Sequence, residues 1–220
     1  VSEKWEKYSG ASISYWTQEY LQKSFPRTAA QGIAINGSWL PDANSWPQIS
    51  ALKEDEALFF GKTLLATSCG PQEKSLAFAS EKKIIQLEQD PVLLQKTWHI
   101  FQFNAAEIRK DFTLITAGRT SQPMQDPHSR CYGEHQIFIE EGVQIRAAVL
   151  NAEAGPIYLG KNSEVQEGAL IRGPFALCES STVNMGAKLR GDTTIGPFSK
   201  VGGEVSNSVI MGYSNKGHDG

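Results

Sequence analysis

The chain has 220 residues and a formal net charge of −3 with well-mixed charges, which argues against a nucleic-acid-binding groove because no basic stripe is present. About 40% of the residues are hydrophobic and 10% are aromatic, which is enough for a packed core. The three cysteines (Cys69, Cys131 and Cys178) lie far apart with no CxxC pair, so neither a disulfide framework nor a zinc knuckle is indicated, and a cytoplasmic location is expected.

The two ends of the sequence carry no targeting signal. No apolar run reaches the roughly 18 residues that a membrane span needs, and no basic-then-apolar signal pattern opens the chain. We therefore expect no membrane association. The sequence begins at Val1 without a Met and stops at Gly220, and we expect both to be interior residues of a longer protein.

Residues 1–118 predict a mixed α/β domain without an internal repeat. The spacing of apolar residues in 15–25 (YWTQEYLQKSF) is that of a short amphipathic helix. Residues 32–37 (GIAING) are a short apolar strand that ends in a turn signal. Three further strands are predicted from runs of apolar and β-branched residues, at 56–60, 63–68 and 82–88.

A second helix is predicted over residues 104–115, where Asn104 would be the N-cap ahead of a row of apolar residues. The segment that follows, 119–136, contains two prolines and many Ser, Asp and Gly residues. Such a composition continues neither a helix nor a strand, so this segment is interpreted as a linker between two domains.

From Ile137 to Gly220 the dominant pattern has a period of six. Eight consecutive positions at this spacing are aliphatic: Leu159, Val165, Ile171, Leu177, Val183, Leu189, Ile195 and Val201. An inward-pointing residue every six positions is typical of a parallel β-helix built from hexapeptides, three to a coil. Such helices are usually left-handed. A sandwich or barrel of short strands, the alternative, would show a period of two without a fixed six.

A second register supports the β-helix. Small or β-branched residues recur four positions after each aliphatic one: Ser163, Ala169, Ser181, Ala187, Thr193, Ser199 and Val205. Phe175 is the departure from this pattern, and we expect a corner bulge or an outward-turned ring there. Upstream, Ile139 and Ile145 are two residues out of phase with Leu159, which predicts an insertion around 151–158.

The stretch 189–218 (LRGDTTIGPFSKVGGEVSNSVIMGYSNKGH) resembles the hexapeptide acyltransferases, and among them the bifunctional sugar-1-phosphate nucleotidyltransferase and N-acetyltransferase enzymes. The matching positions are Arg190, Val201, Gly202, Glu204, Ser214, Gly217 and His218. Two positions depart from the family pattern, since Ser206 and Asn215 each stand where the family has a Lys.

The resemblance implies an acetyltransferase site on the β-helix. His218 would be the general base that deprotonates a sugar amine as the amine attacks acetyl-CoA. Arg190, Glu204, Asn215 and Lys216 would bind the sugar-phosphate substrate. The family assembles as homotrimers with acyl-CoA sites between subunits, so a homotrimer is implied as well.

The N-terminal half resembles the nucleotidyltransferase domain of the same two-domain enzymes, with its N-terminal part missing. The Gly-rich loop that holds nucleotide phosphates in such domains would lie upstream of Val1. In 35–41 (INGSWLP), Ser38 stands where the family has an Asp that binds Mg²⁺. Asn36 and Asp42 are the substitute candidates for holding Mg²⁺ with a nucleoside triphosphate.

Two functions follow from these observations. The first is a transferase of sugar-nucleotide biosynthesis, which would act by nucleotidyl transfer to a sugar 1-phosphate, by acetyl transfer to an amino-sugar phosphate, or by both. The second is a non-catalytic β-helix that trimerises a sugar-phosphate-binding domain. A zinc hydratase is set aside because it needs three His ligands on neighbouring coils, and the repeats contain one. The sugar, the nucleotide and the acyl group are not specified by the sequence.

Overall fold

The computed structural model of the protein describes residues 1–73 and 75–219. Its contacts divide the chain into two units, Val1–Gln95 and Lys96–Gly220. No helix within the described ranges has the length and apolar character needed to cross a lipid bilayer.

The first unit contains a small mixed sheet. Its elements are α1 (Ser2–Ser9), β1 (Gly32–Ile35), α2 (Ser45–Ser50), β2 (Glu56–Phe60), β3 (Thr63–Cys69) and β4 (Lys83–Gln86). The strand order is β1-β3-β2-β4, with β3 antiparallel to both of its neighbours and β2 parallel to β4. The core beneath the sheet includes Trp5 and Trp39, whose rings meet edge-on with centroids 5.2 Å apart.

All four strands of this unit were predicted from the sequence, but the helix at 15–25 was wrong. Only a 3-10 turn forms there, at Glu19–Leu21. The aromatic side chains of this segment pack locally instead of forming one apolar helical face: Tyr15 contacts Phe25 edge-on, with ring centroids 5.3 Å apart. Local aromatic contacts therefore replace the helix.

The second unit begins with two helices, α3 (His99–Gln102) and α4 (Asn104–Thr116), and continues as a parallel β-helix. Its strands form three five-stranded sheets, one strand per coil. The first sheet contains β5 (Arg130–Tyr132), β8 (Val149–Asn151), β11 (Leu170–Arg172), β14 (Lys188–Arg190) and β17 (Glu204–Ser206). The second contains β6 (Ile137–Ile139), β9 (Ile157–Leu159), β12 (Phe175–Leu177), β15 (Thr193–Ile195) and β18 (Val209–Ile210). The third contains β7 (Gln144–Ile145), β10 (Glu164–Val165), β13 (Thr182–Val183), β16 (Lys200–Val201) and β19 (Asn215–Lys216).

The aliphatic residues of the six-residue period point into this β-helix, as predicted. All eight are buried, and they pair in register from coil to coil, for example Ile171 with Leu189 and Val183 with Val201. The serines of the second register, Ser163, Ser181 and Ser199, are buried as well. Coils three and four are 18 residues apart, as the pairings of 170 with 188 and 182 with 200 show.

Two changes in coil length alter the inward positions. The second coil is lengthened between β8 and β9, which confirms the insertion predicted around 151–158. The fifth coil is shortened, because Leu189 pairs with Val205, 16 residues later. Val205 therefore lies in the aliphatic ladder and not at the corner that a constant period would give it.

Phe175 also differs from the prediction. Its ring is fully buried at the start of β12, where the backbone pairs with Ile157 on one side and Thr193 on the other. The outward-turned ring was wrong because the interior has room for a large side chain beside the small Thr193. The aromatic ring fills that space.

Helix α4 packs on the outer face of the second sheet, against β12 and β15. The Asn104 side chain donates to the carbonyl of Asp192 (2.9 Å) and accepts from the Thr194 hydroxyl (2.9 Å). Asn104 was expected to cap the helix, but its side chain makes these two tertiary hydrogen bonds and caps nothing. The helix forms as predicted, and its contacts place it with the β-helix.

The units accordingly divide at Gln95 and Lys96, before the predicted linker at 119–136. Strand β5 lies inside that predicted linker, so the first coil starts earlier than Ile137. The turn-rich composition of this segment gave no indication that three of its residues pair in parallel with β8.

Glu140, which follows β6, joins the segment after α4 to the β-helix. Its carboxylate accepts from Arg119 (2.6 Å) and from the Tyr158 hydroxyl (2.7 Å). Burial alone raises the pKa of Glu140, but the hydrogen bonds from these two residues, aided by charge attraction, lower it overall. Burial and the bond to Glu140 in turn raise the pKa of Tyr158.

The ladder predicts a large difference between two leucines one coil apart. Leu189 is 1% exposed and Leu170 is 48% exposed. Leu189→Ala should lower the free energy of unfolding by about 2–5 kcal/mol through lost burial and the cavity that remains. Leu170→Ala, the control, should change it by less than about 0.5 kcal/mol. Urea denaturation measures both, and equal effects would show that the inward register is wrong.

Glu140 should make stability depend on pH. Because its pKa is lower in the folded state than the ordinary 4.5, the unfolded state binds the proton first as pH falls. Its contribution is complete above the unfolded pKa and is lost below it as pH falls through the folded pKa. Glu140→Gln should reduce stability at pH 7 by about 1 kcal/mol and flatten the acid limb of the stability curve. The neighbouring Glu141→Gln, a more exposed carboxylate, should leave the limb unchanged.

Candidate functional site

Arg190 and Glu204 lie on the outer face of the first sheet, in the fourth and fifth coils. The Arg190 Nη1 and Glu204 Oε1 atoms are 2.7 Å apart, and both side chains are largely exposed. An ion pair in this setting contributes little to stability because water screens it. It does hold the guanidinium in a fixed orientation at the surface.

Asn215 and Lys216 form β19 in the third sheet, and their positions differ. Asn215 pairs with Lys200 and is exposed, whereas Lys216 pairs with Val201 and takes the register position of the inward ladder. The Lys216 ammonium donates to the carbonyls of Gly202 (3.0 Å) and His218 (2.7 Å). Its charge is thus engaged with backbone oxygens, and it ties the His218 segment to the coil below.

His218 is exposed, and one of its two ring nitrogens is engaged. Nδ1 lies 2.6 Å from the carbonyl oxygen of Asp219. Because a carbonyl oxygen only accepts hydrogen bonds, this contact requires the proton on Nδ1. In the neutral imidazole the Nε2 lone pair is then free to accept a proton, which is the state that a general base needs.

The backbone around His218 lies directly on a glycine corner of the preceding coil. A Cβ on Gly202 would be 2.4 Å from the carbonyl oxygen of Gly217, and one on Gly203 would be 2.5 Å from the amide nitrogen of Asp219. The Asp219 carboxylate accepts from the Glu204 amide (2.7 Å). The structure therefore stacks the backbone of residues 217–219 on the corner that precedes Glu204, the residue that pairs with Arg190.

The glycine corner gives a sharp test of what positions His218. Gly203→Ala and Gly186→Ala each place a Cβ at a positive φ, +71° and +69°, but only Gly203 has atoms of the last segment in the way. Both variants should lose about 1–2 kcal/mol from the left-handed backbone. Only Gly203→Ala should remove hydrogen-exchange protection from the Glu204 amide. Equal protection in the two variants would mean that the corner does not hold the segment.

Asn36 and Asp42, the predicted metal ligands, each serve a local turn in the first unit. The Asn36 side chain donates to the carbonyl of Leu64 (2.9 Å) and accepts from the backbone amide and hydroxyl of Ser38 (3.0 and 2.8 Å). Asp42 accepts from the Asn44 amide and the Ser45 hydroxyl, both at 2.9 Å.

Oδ1 of each side chain accepts two hydrogen bonds from the protein, and Mg²⁺ binding by this pair stays a prediction. Across residues 1–73 and 75–219, no group of three or more His, Cys, Asp or Glu residues is arranged to hold a metal ion. No chemical step is therefore assigned to Mg²⁺ bound by this pair.

The first unit contains a cavity of about 1170 Å³ that was not predicted from the sequence. Its walls include Trp5, Tyr15, Trp16 and Trp46, and Asn36 lies at its edge. Arg27 lies over the Trp16 ring, 4.2 Å from its centroid. The available signal was the density of aromatic residues in 5–46, of which 15–25 was predicted to form a helix.

The guanidinium of Arg27 is occupied by the protein itself. It donates to the carbonyls of Ala29, Ala30 and Glu73 at 3.1–3.3 Å. Arg27 thus fixes the loop that walls the cavity, and its donors are not directed at a ligand.

The first unit and the helices after it match a known family. A family model described as sugar nucleotidyl transferase matches residues 1–120, more than half of the chain. The chain therefore belongs to the sugar nucleotidyl transferase family, and it joins that transferase domain to a parallel β-helix. No curated protein matches the chain.

Proposed function

We propose that this chain is part of an enzyme of sugar-nucleotide biosynthesis that combines nucleotidyl transfer to a sugar 1-phosphate with acetyl transfer to an amino-sugar phosphate on the β-helix. The observation that carries the acetyl-transfer half is the final segment, where Nδ1 of His218 contacts the Asp219 carbonyl and the Asp219 carboxylate binds the amide of Glu204, the partner of Arg190. The family match supports the nucleotidyl-transfer half.

In the acetyl-transfer half, the amine nitrogen of the sugar attacks the thioester carbonyl carbon of acetyl-CoA. Nε2 of His218 takes the proton that the nitrogen loses, an amide bond forms, and the carbon–sulfur bond breaks to release CoA. Arg190 binds the sugar phosphate through charge-assisted hydrogen bonds. The side chain of Asn215 lies exposed on the third sheet, where it can reach a substrate only across the corner of the coil.

The site is open, because Arg190, Glu204 and His218 are all exposed. A second surface is needed to exclude water and hold acetyl-CoA. We propose that a neighbouring subunit of a homotrimer supplies that surface, since helix α4 covers the face of the second sheet whereas Arg190 and Glu204 lie on the face of the first.

In the nucleotidyl-transfer half, the aromatic cavity of the first unit takes the nucleotide base by stacking. The sugar-phosphate oxygen displaces pyrophosphate from the α-phosphorus of a nucleoside triphosphate. Asn36 and Asp42 would be the residues that hold Mg²⁺ with the triphosphate, where the ion would neutralise charge on the phosphate oxygens. The three cysteines form no disulfide among the described residues, which agrees with action in the reducing cytoplasm.

A second candidate is a non-catalytic β-helix that only trimerises the transferase domain. It is favoured by two positions, Ser206 and Asn215, where the resembling enzymes have lysines. The ammonium of Lys216, moreover, is bound to backbone carbonyls. The kinetic experiment below separates the two candidates.

In the complete protein, given acetyl-CoA and glucosamine 1-phosphate, Arg190→Ala and His218→Ala should change different kinetic constants of acetyl transfer. Arg190→Ala should chiefly raise KM, because the phosphate contact is present in both ground and transition states. His218→Ala should lower kcat by about 10²–10⁴-fold with KM little changed. CoA release, followed with a thiol reagent, measures both.

Lys200→Ala is the control. It changes an exposed residue in the same coil as Arg190 and should keep wild-type kinetics. Wild-type protein that is folded and trimeric yet releases no CoA with any amino-sugar phosphate would contradict acetyl transfer and favour the scaffold. A strict monomer at micromolar concentration would contradict the shared site.

A further inference from the structure

The three outer faces of the β-helix carry different charges. The strands of the second sheet present no charged side chain outward, and the third presents one carboxylate, Glu164, and one ammonium, Lys200, at its first outward column. The first sheet is basic. Its two outward columns are Arg130, Val149, Leu170, Lys188 and Glu204, and Tyr132, Asn151, Arg172, Arg190 and Ser206.

This face holds four cations and one carboxylate in a chain whose net charge is −3. Glu204 pairs with Arg190. Among the residues that the structure describes, no side-chain hydrogen bond or ion pair is found for Arg172 or Lys188, and both are exposed. The local charge therefore stays uncompensated by the protein.

The uncompensated cations lie close together. Arg172 and Arg190 are register partners in adjacent parallel strands, so their Cα atoms are about 4.8 Å apart. Lys188 lies two residues before Arg190 on the same face of the strand, about 6.6 Å away. Like charges at directly opposite positions of a sheet destabilise it. The face retains this repulsion although exposed positions there accept neutral polar residues, as Asn151 and Ser206 in the same column show.

We propose that Arg172 and Lys188, together with Arg190, bind the phosphate group of a small phosphate-bearing molecule. A phosphate monoester carries about −1.5 to −2 charges near neutral pH, which matches Arg172 and Lys188, two of the cations that the protein leaves unpaired. Arg172 can hold two of its oxygens in a bidentate contact, and Lys188 contributes a mobile point charge. Leu170 is the register partner of Lys188 and lies two residues before Arg172 on the same face, and its exposed side chain offers an apolar contact to the rest of the molecule.

The size of the patch favours one small molecule over a nucleic acid. The three clustered cations occupy two adjacent coils. On one side their columns continue with uncharged residues until Arg130 in the first coil, and on the other side with Glu204 and Ser206. A nucleic acid that binds through its backbone needs several phosphate contacts, about 6–10 in strongly salt-dependent complexes. The patch provides charge for one or two.

This inference deepens the proposed function, since it rests on the acetyl-transfer half for the role of Arg190. It adds Arg172 and Lys188 as specificity-determining residues for a phosphorylated substrate. Its test uses no acetyl-CoA, so binding and acetyl transfer can fail separately.

The experiment is calorimetric titration of the complete chain with glucosamine 1-phosphate and, separately, with inorganic phosphate at low salt. Arg172→Gln and Lys188→Gln should each weaken binding about tenfold or more, the effect of removing one charge-assisted hydrogen bond. Lys200→Gln is the matched control: it removes the same charge from an exposed, outward position of the same coil but from the third sheet. It should stay within about twofold of wild type.

Thermal melting provides a second readout. Arg172→Gln should melt at or above the wild-type temperature without phosphate, because repulsion is relieved, and its melting temperature should rise less than that of the wild type when phosphate is added.

Three outcomes would overturn the proposal. If Lys200→Gln weakens phosphate binding as much as Arg172→Gln does, the attraction is diffuse, and if the wild type does not bind at millimolar phosphate, there is no site. Tighter binding of a DNA duplex that depends on Arg172 would overturn it in favour of a nucleic-acid face. Retained Arg172-dependent binding without CoA release would support this site and contradict acetyl transfer.

Discussion

The stacking of each coil on the one before it is the interaction on which the second unit depends. Backbone bonds such as Gly160 N–H to the Leu177 carbonyl (2.7 Å) repeat from coil to coil, and the aliphatic ladders fill the interior beneath them. Because side chains alternate between inside and outside along each strand, fixing the inward residue also fixes what each face presents. Arg172 and Arg190 are neighbours on one face for this reason, and a slip of one residue would turn both inward.

This arrangement could be predicted wherever the coil length is constant. Between Leu159 and Val201 the period of six identified every buried aliphatic residue. It misplaced Val205, because the fifth coil is shorter and a change of length leaves no mark in the composition. It also misplaced Phe175, since whether a large ring fits inside depends on the volume of residues in the coils above and below.

The boundary between the two units could not be predicted from the pattern of residues along the sequence, for a related reason. Helix α4 looks like any amphipathic helix, and only Asn104, bonded to Asp192 and Thr194 some 90 positions later, shows which unit it joins. Contacts over such separations are set by tertiary packing. In the first unit, likewise, aromatic contacts near Tyr15 overrode the local preference for a helix.

The sequence indicated which residues belong to the candidate site better than it indicated how they are arranged. The resemblance indicated Arg190, Glu204 and His218; the stacked coils pair Arg190 with Glu204 and bind the residue after His218 to the Glu204 amide, and the role of His218 stays a prediction. It gave no indication that Lys216 would hold backbone carbonyls, or that Gly202 and Gly203 would form the surface under the final segment. Those features arise from the close approach of two backbones, which no spacing of residue types reveals.

We propose that the last coil holds His218 as a base with its proton on Nδ1. Nitrogen-15 NMR of the His218 ring in the complete protein, at a pH where the imidazole is neutral, tests this most directly. We expect a single ordered tautomer with Nδ1 protonated and Nε2 bare, which converts to the tautomeric average of free histidine in Gly203→Ala. A ring protonated on Nε2, or one that averages as free histidine in the wild type, would contradict it.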